Sequence, residues 1–220
     1  MPEQRLLFQK TGRAKYISHL DLMRTFQRIF VRAGVRVRHS EGFNPRPKIS
    51  IALPLSLGQE SVCELLDFGL VSGAALSELP ERLNAVSPEG IRVLEAYDAA
   101  RKVRELALLE ALGTMTYDAG APEDIAEKLR AFFSQRSLVI QKRSKRNLAD
   151  VDIAPCIKRV SFEQTAPDTV LMRALVTAQN PSLNPEHLIS ALRQLQPALA
   201  PDFTVFRRLE VYDAAGKVFR

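Results

Sequence analysis

The 220-residue sequence contains only two cysteines and no tryptophan. Cys63 and Cys156 lie far apart, and neither has partners at the spacing of a zinc site, an iron–sulfur cluster or a disulfide framework. This scarcity excludes a disulfide-stabilised secreted domain. We therefore expect no metal, no other cofactor and a reducing, cytoplasmic location.

Long hydrophobic runs are also missing. The amino-terminal segment MPEQRLLFQKTG has no apolar signal core, and the longest apolar runs are interrupted by proline, glycine or charge within ten residues. A membrane-spanning helix needs about 20 consecutive apolar residues. The sequence therefore predicts neither export nor a membrane partner.

Positive charge is concentrated near the amino terminus. Residues 1–50 hold eleven Lys and Arg against three acidic residues, a formal charge of +8, so the remaining 170 residues carry −2. Charge gathered around one helix and one proline-rich loop indicates a basic surface for an anionic partner, of which nucleic acid is the commonest. We therefore expect RNA as the partner.

A duplication is visible near the ends of the two halves. Residues 94–103 (LEAYDAARKV) and 209–218 (LEVYDAAGKV) share eight identities in ten positions. The flanking order of predicted elements repeats as well, since each half reads β-α-β-β-β-α-β. The sequence thus predicts an α+β fold of two tandem ferredoxin-like (split βαβ) domains, residues 1–104 and 105–220. The signature motifs lie in the first domain, and residues 104–112, at the boundary, have a helical pattern.

The first predicted helix, from Ser18 to Ala33, carries a stripe of arginines. Its core face is predicted from three- and four-residue spacing to comprise Leu20, Met23, Phe26, Phe30 and Ala33. Arg24, Arg28 and Arg32 lie on another face, where Asp21 can neutralise only the first of them. A solvated face and a phosphate-binding face explain this stripe equally well.

After this helix come a short predicted strand, Val35 to His39, and the loop EGFNPRPK (residues 41–48). Arg46 and Lys48 alternate with prolines that stiffen the loop, and we expect both to be exposed. Phe43 belongs to no strand. Packing into the core beneath the loop is the favoured interpretation, and stacking on a base is the alternative. The candidate surface for nucleic acid or a partner comprises Arg13, Lys15, Tyr16, His19, Arg24, Arg28, Arg32, Phe43, Asn44, Arg46 and Lys48.

His19, in the first helical turn, suggests catalysis, with Tyr16 and Lys15 as neighbours. A histidine at this place is more often structural, although the positive helix end would keep its imidazole neutral and available as a base. The catalytic residues are thus unknown, and we do not expect the chain to be an enzyme on its own. The second half has a basic loop in the matching place, for which a mobile solvated loop is the plainer interpretation. This secondary loop contains Lys142, Arg143, Lys145 and Arg146.

Two motifs, SHLD (residues 18–21) and GFNPRPKIS (residues 42–50), form a distinctive signature. The region around them resembles the radical-SAM-linked bacterial family of unknown function. Its members look like free-standing proteins of this length or carboxy-terminal extensions of radical SAM, cobalamin-binding proteins. His39 and Arg46 depart from the family pattern, which has an aromatic residue and a histidine there. The resemblance implies a radical SAM protein as partner, although this chain lacks the cysteine cluster of such an enzyme.

The sequence supports three functional hypotheses. The favoured one is a cytoplasmic RNA-binding or RNA-modification accessory protein that works with a radical SAM partner. The second is an adaptor whose basic face docks on that partner without nucleic acid. The third is a metal-independent ribonuclease that uses His19 with Tyr16 or Lys15 in acid–base roles.

Overall fold

The computed structural model describes residues 3–71, 74–143 and 148–220 of the chain. These residues form ten β-strands and four α-helices, which confirms the predicted α+β class. None of the helices in the described part of the chain is long and apolar enough to cross a membrane. Backbone contacts divide the chain into two compact units: unit 1 comprises residues 1–105 and 219–220, and unit 2 comprises residues 106–218.

Unit 1 has a four-stranded antiparallel sheet and two helices. Its elements in chain order are β1 (Gln4–Lys10), α1 (His19–Arg32), β2 (Ile49–Ile51), β3 (Glu60–Phe68), α2 (Leu79–Asn84) and β4 (Ile91–Asp98). Strand β1 pairs with β3 on one side and β4 on the other, and β2 pairs with the end of β3. The strand order across the sheet is therefore β4-β1-β3-β2.

Unit 2 repeats this arrangement with an insertion. Strand β5 pairs with β9 and β10, and β8 pairs with β9, so the strand order is β10-β5-β9-β8. The insertion is a separate two-stranded ribbon, β6–β7. The elements in chain order are β5 (Leu106–Thr116), α3 (Ile125–Phe133), β6 (Val139–Arg143), β7 (Leu148–Asp152), β8 (Ile157–Ala166), β9 (Thr169–Thr177), α4 (Glu186–Leu195) and β10 (Phe203–Asp213).

The repeated decapeptide begins in the last strand of each unit, β4 and β10. Its tyrosine, Tyr97 in unit 1 and Tyr212 in unit 2, is partly buried at both places, and burial raises the pKa of each phenol to about 12. At Tyr212 the hydroxyl also donates a 2.7 Å hydrogen bond to the Glu110 carboxylate, which favours the protonated phenol further.

Three details of the predicted element order are wrong. The segment from Val35 to His39 is not a regular strand and makes only isolated bridges, Val37 with Leu70 and His39 with Pro47. Strand β7 was not predicted. Residues 104–112, with their helical pattern, lie mostly in β5. The run LALLEAL has apolar residues on both faces and so lacks the alternation that marks a half-buried strand.

The core of unit 1 is an aromatic cluster between α1 and the sheet. Phe26 packs on Phe8 of β1, and Phe30 packs on Phe68 of β3, with ring centroids 4.7 and 5.2 Å apart. The buried face of α1 consists of Leu22, Phe26, Ile29 and Phe30. Leu20, predicted to join this face, is instead exposed. It precedes Leu22 by two residues and so lies about 200° around the helix from it.

A buried arginine supports the other face of the same sheet. Arg5 forms a salt bridge with Asp67 of β3 at 2.5 Å and donates to the carbonyl of Arg101 at 3.0 Å. The guanidinium groups of Arg5 and Arg101 both lie over the ring of Phe219, 5.1 and 4.8 Å from its centroid, and this ring is fully buried. The charge-paired arginine and the ring therefore bury each other.

The start of β4 packs closely on the turn that follows β1. Gly90 has φ +83°, and a Cβ placed on it would overlap the carbonyl oxygen of Thr11 and lie 2.8 Å from the Cβ of Ala14. Thr11 donates its N–H to the Gly90 carbonyl at 2.8 Å. This position therefore requires glycine both for its backbone conformation and for the close approach.

We expect Gly90→Ala to lower the free energy of unfolding by about 2 to 3 kcal/mol, because it adds a steric overlap to backbone strain. Gly58→Ala is the matched control, since Gly58 has φ +86° but a Cβ placed on it would have no heavy atom within 4 Å. The control should lose only about 1 kcal/mol. Urea denaturation measures both values, and equal losses would contradict the close-packing explanation.

Candidate nucleic-acid interface

The predicted surface residues of unit 1, apart from Arg24, fall into three places. The amino-terminal turn is residues 12–19, between β1 and α1. The basic groove is a cavity of about 920 Å³ along the carboxy-terminal half of α1. The hairpin loop is residues 39–48, which bridge at His39 and Pro47.

A buried lysine holds the amino-terminal turn in place. The ammonium of Lys10, in β1, donates to the carbonyl oxygen of Ile17 at 2.8 Å and to that of Lys15 at 3.4 Å. Burial lowers the pKa of Lys10, and the nearby Glu64 carboxylate opposes this shift. Lys10 thus joins the turn to the sheet and fixes where α1 begins.

The candidate catalytic residues lie on this turn but are only partly assembled. The Lys15 ammonium lies 5.3 Å from the ring centroid of Tyr16, a cation–π contact, and Tyr16 and Arg13 are exposed. His19 is half-buried, and its Nδ1 has no hydrogen-bond partner among the described residues. The structure therefore brings Lys15 and Tyr16 together, and it records no hydrogen bond from the Nδ1 of His19 to either of them.

Helix α1 begins with a side-chain cap. The Ser18 hydroxyl accepts from the Asp21 N–H at 3.2 Å and donates to the Asp21 carboxylate at 2.7 Å. Asp21 also forms a 3.0 Å salt bridge with Arg24. The hydrogen bond from Ser18 and then that from Arg24 lower the pKa of Asp21. Arg28, farther along the stripe, forms no ion pair within the described residues.

The basic groove is lined by both arginines and apolar residues. Arg28, Arg32 and Arg36 are among its lining residues, and none of its twelve described lining residues is acidic. Val31 is 79% exposed although it is aliphatic. Low-polarity walls strengthen the potential of charges that line a cleft. The full lining is Gln27, Arg28, Phe30, Val31, Arg32, Gly34, Val35, Arg36, Val37, His39, Pro47 and Val71.

His39 contributes an imidazole to the lining of the groove. Its Nδ1 lies 3.1 Å from the carbonyl oxygen of Val37, so this nitrogen donates and Nε2 is left for a ligand. Backbone hydrogen bonds join residues 36–38 to residues 69–71. The Arg38 N–H donates to the Gly69 carbonyl at 2.7 Å, and the Val71 N–H donates to the Arg36 carbonyl at 3.0 Å.

The hairpin loop presents Phe43 to solvent. Ser40 and Arg46 close the loop, since the Ser40 N–H donates to the Arg46 carbonyl at 2.8 Å and the Arg46 N–H to the Ser40 hydroxyl at 3.0 Å. Phe43 lies at the tip with a relative exposure of 106%. The favoured prediction that it packs into the core is therefore wrong, because loop closure holds the tip out of the core. Asn44 and Arg46 are exposed beside it.

Lys48 does not join the groove. It lines a different hollow of about 530 Å³ together with Arg5, Asp67 and Arg101. Neighbouring residues of an extended segment point to opposite sides, so Pro47 faces the groove while Lys48 faces away from it. Arg24 does not line the groove either.

The secondary basic loop is described only in part. Lys142 is half-buried in β6, close to His187 of α4, whose pKa is lowered by burial and then by the Lys142 charge. The side chain of Arg143 and the residues Lys145 and Arg146 lie outside the described part of the chain.

Sequence patterns did not place Arg36, His39 and Val71 in the candidate surface, although all three line the groove. Arg36 could have been found from its alternation with the buried Val35 and Val37. His39 could have been suspected only from its nearness to the loop. Val71 gave no signal, because it reaches the groove through tertiary pairing with a segment more than thirty residues earlier.

Comparison with known proteins yields one family and a shared fold. The family described as "Uncharacterized protein conserved in bacteria (DUF2344)" matches residues 4–185. No curated protein matches the sequence. A chain of a Cbf5–Nop10–Gar1 complex has a TM-score of 0.53 at 12% identity and covers 94% of this chain. A chain of an H/ACA RNP bound to a substrate RNA containing 2′-deoxyuridine has a TM-score of 0.50 at 12% identity and covers 98%.

The present chain spans about half, 48%, of the length of each of these two chains. At 12% identity the likeness concerns the fold alone and carries over no residue roles.

We expect Ser18→Ala to destabilise the protein by about 1 kcal/mol, because it removes the side-chain cap of the helix that carries the groove arginines. The exposed Ser50 in β2 makes no such cap, so Ser50→Ala is the control and should be near neutral. Thermal unfolding followed by circular dichroism measures both. An unchanged Ser18→Ala variant would show that α1 does not depend on this cap.

Proposed function

The chain belongs to the DUF2344 family of bacterial proteins of unknown function, and we propose that it binds RNA through the basic groove of unit 1. The observation that carries this proposal is the composition of the groove. Arg28, Arg32 and Arg36 line one cavity that has no acidic residue among its described lining residues. Guanidinium groups bind phosphates well, and several of them along one groove favour a polyanion over a ligand with a single charge.

A merely solvated helix face explains this arrangement less well. Like charges four residues apart on a helix repel each other, and Arg24 is relieved by Asp21 whereas Arg28 and Arg32 form no ion pair among the described residues. Arg36 adds a third charge from the opposite wall. An anionic partner would offset this repulsion, which supports a binding role.

We also propose that the two units are duplicated ferredoxin-like domains, residues 1–104 and 105–220. If the strands of each unit are numbered along the chain without the β6–β7 ribbon, both sheets have the order fourth, first, third, second. The repeated decapeptide begins in the fourth strand of each. A chain of similar fold occurs in an H/ACA RNP bound to a substrate RNA. That likeness supports the RNA proposal only as a fold-level analogy.

The accessory role, the radical SAM partner and the cytoplasmic location are parts of the proposal that rest on the sequence. Cys63 and Cys156 are buried and form no disulfide, which agrees with a reducing compartment. Purification of the tagged chain from its native cells, with and without nuclease, separates two roles. A radical SAM protein lost after nuclease treatment would support an RNA-bridged accessory, and one retained would support the adaptor hypothesis.

A metal-independent ribonuclease is the second candidate function. It is favoured by His19, whose buried Nδ1 has no hydrogen-bond partner among the described residues. Acid–base cleavage needs two groups that exchange protons, and Tyr16 and Lys15 are the neighbours that could serve beside it. RNA cleavage that is lost in His19→Ala would support this function. RNA binding without cleavage would instead support the accessory role.

We expect the triple change Arg28→Glu, Arg32→Glu and Arg36→Glu to weaken RNA binding by at least about 30-fold at physiological salt, because it removes three phosphate contacts and adds repulsion. The slope of log affinity against log salt should become shallower by about 2. Fluorescence anisotropy with a labelled RNA of about 12 nucleotides measures both.

The matched control for this triple change reverses the same charge in unit 2, at the exposed Arg130, Arg136 and Arg193. Equal losses in the two triple variants would show that net charge alone drives binding. Equal affinity for a DNA strand of the same sequence would overturn the assignment to RNA.

A further inference from the structure

We infer that the groove takes single-stranded RNA, and that Phe43 stacks on one of its unpaired bases. This inference rests on the proposed function and names its substrate class. It starts from the fully exposed ring at the tip of the hairpin loop, which neither folding nor the groove charges explain. Base–aromatic stacking is how proteins hold unpaired bases without reading their sequence.

The loop presents this ring in a defined place. The two hydrogen bonds between Ser40 and Arg46 and the bridge between His39 and Pro47 close the loop on both sides of its tip. A closed loop loses less conformational entropy when its tip binds, because the backbone is already ordered. Phe43 is thus presented as a preorganised stacking surface.

The ring and the groove belong to one continuous site. His39 and Pro47, the bridged residues at the base of the hairpin loop, both line the groove. Phe43 is four residues from either of them, so its Cα lies within about 14 Å of the groove wall. An RNA strand that lies in the groove therefore reaches the ring within a few nucleotides.

The groove floor favours unpaired nucleotides over a duplex. Arginines line the groove together with the exposed Val31 and the half-exposed Val71, which offer apolar contact. A single strand can turn its phosphates to the arginines and its base or ribose faces to the valines. An A-form duplex keeps its bases paired inside the helix and presents phosphates and 2′-hydroxyls instead, which leaves the apolar floor and Phe43 without partners.

The absence of tryptophan from the sequence permits a direct test. Phe43→Trp gives this 220-residue chain a single tryptophan, at the loop tip. Phe203→Trp, at an exposed phenylalanine in β10 of unit 2, is the matched control. We expect a single-stranded RNA of about 12 nucleotides to quench the tryptophan fluorescence of the Phe43→Trp variant saturably and to leave that of the control unchanged. The same RNA annealed to its complement should leave both unchanged.

Affinity measurements separate this inference from the proposed function. Phe43→Ala should weaken binding of the single strand about 10-fold without changing the salt slope, because it removes stacking and no charge. Phe203→Ala should bind as the unmodified chain does. Equal binding by Phe43→Ala, or tighter binding of the duplex, would overturn the single-strand inference while the groove proposal stands. If the unmodified chain bound no RNA, both the groove proposal and the single-strand inference would be overturned. Binding of an acidic protein instead would assign the groove to a protein partner.

Discussion

The packing of Phe26 and Phe30 against Phe8 and Phe68 is the interaction on which the rest of unit 1 depends. It fixes the rotation of α1 on the sheet, because these two rings are the largest side chains on the buried face of the helix. Each helical residue turns about 100° from the one before it, so a slip by one residue would carry Arg28 and Arg32 out of the groove. The positions of the charges are therefore set by apolar contacts and not by the charges themselves.

Much of the fold could be predicted from local patterns, and its exceptions have physical causes. Most strands show alternation or turn signals, and α1 shows a clear amphipathic period. Strand β5 was misread because LALLEAL is apolar on both sides, so its spacing fits a helix as well as a buried strand. The β7 sequence LADVD is short, contains two aspartates, is mostly exposed and pairs with β6 in the ribbon, so it lacks the hydrophobic signal of a core strand.

The candidate site also combines residues that local sequence patterns identify with residues that they do not. Arg28 and Arg32 could be grouped because helical spacing is a local property. That Arg36 and Val71 line the same groove as these arginines could not be foreseen, since it depends on pairing between segments that are distant in the sequence, such as Val37 with Leu70. Lys48 shows the limit of composition, because charge density cannot tell which side of an extended segment a residue faces. Phe43 shows the limit of hydrophobicity as a guide to burial, since loop closure overrides it.

The place of Phe219 in unit 1 has a consequence for synthesis on the ribosome. Its ring belongs with Arg5 and Arg101, yet it is translated more than 100 residues after the last of these. At 5 to 20 residues per second this interval lasts roughly 6 to 24 s. During that time the nascent first unit can pair Arg5 with Asp67 but must leave the stacking position for the ring open. Completion of unit 1 therefore waits until the whole of unit 2, residues 106–218, has been made.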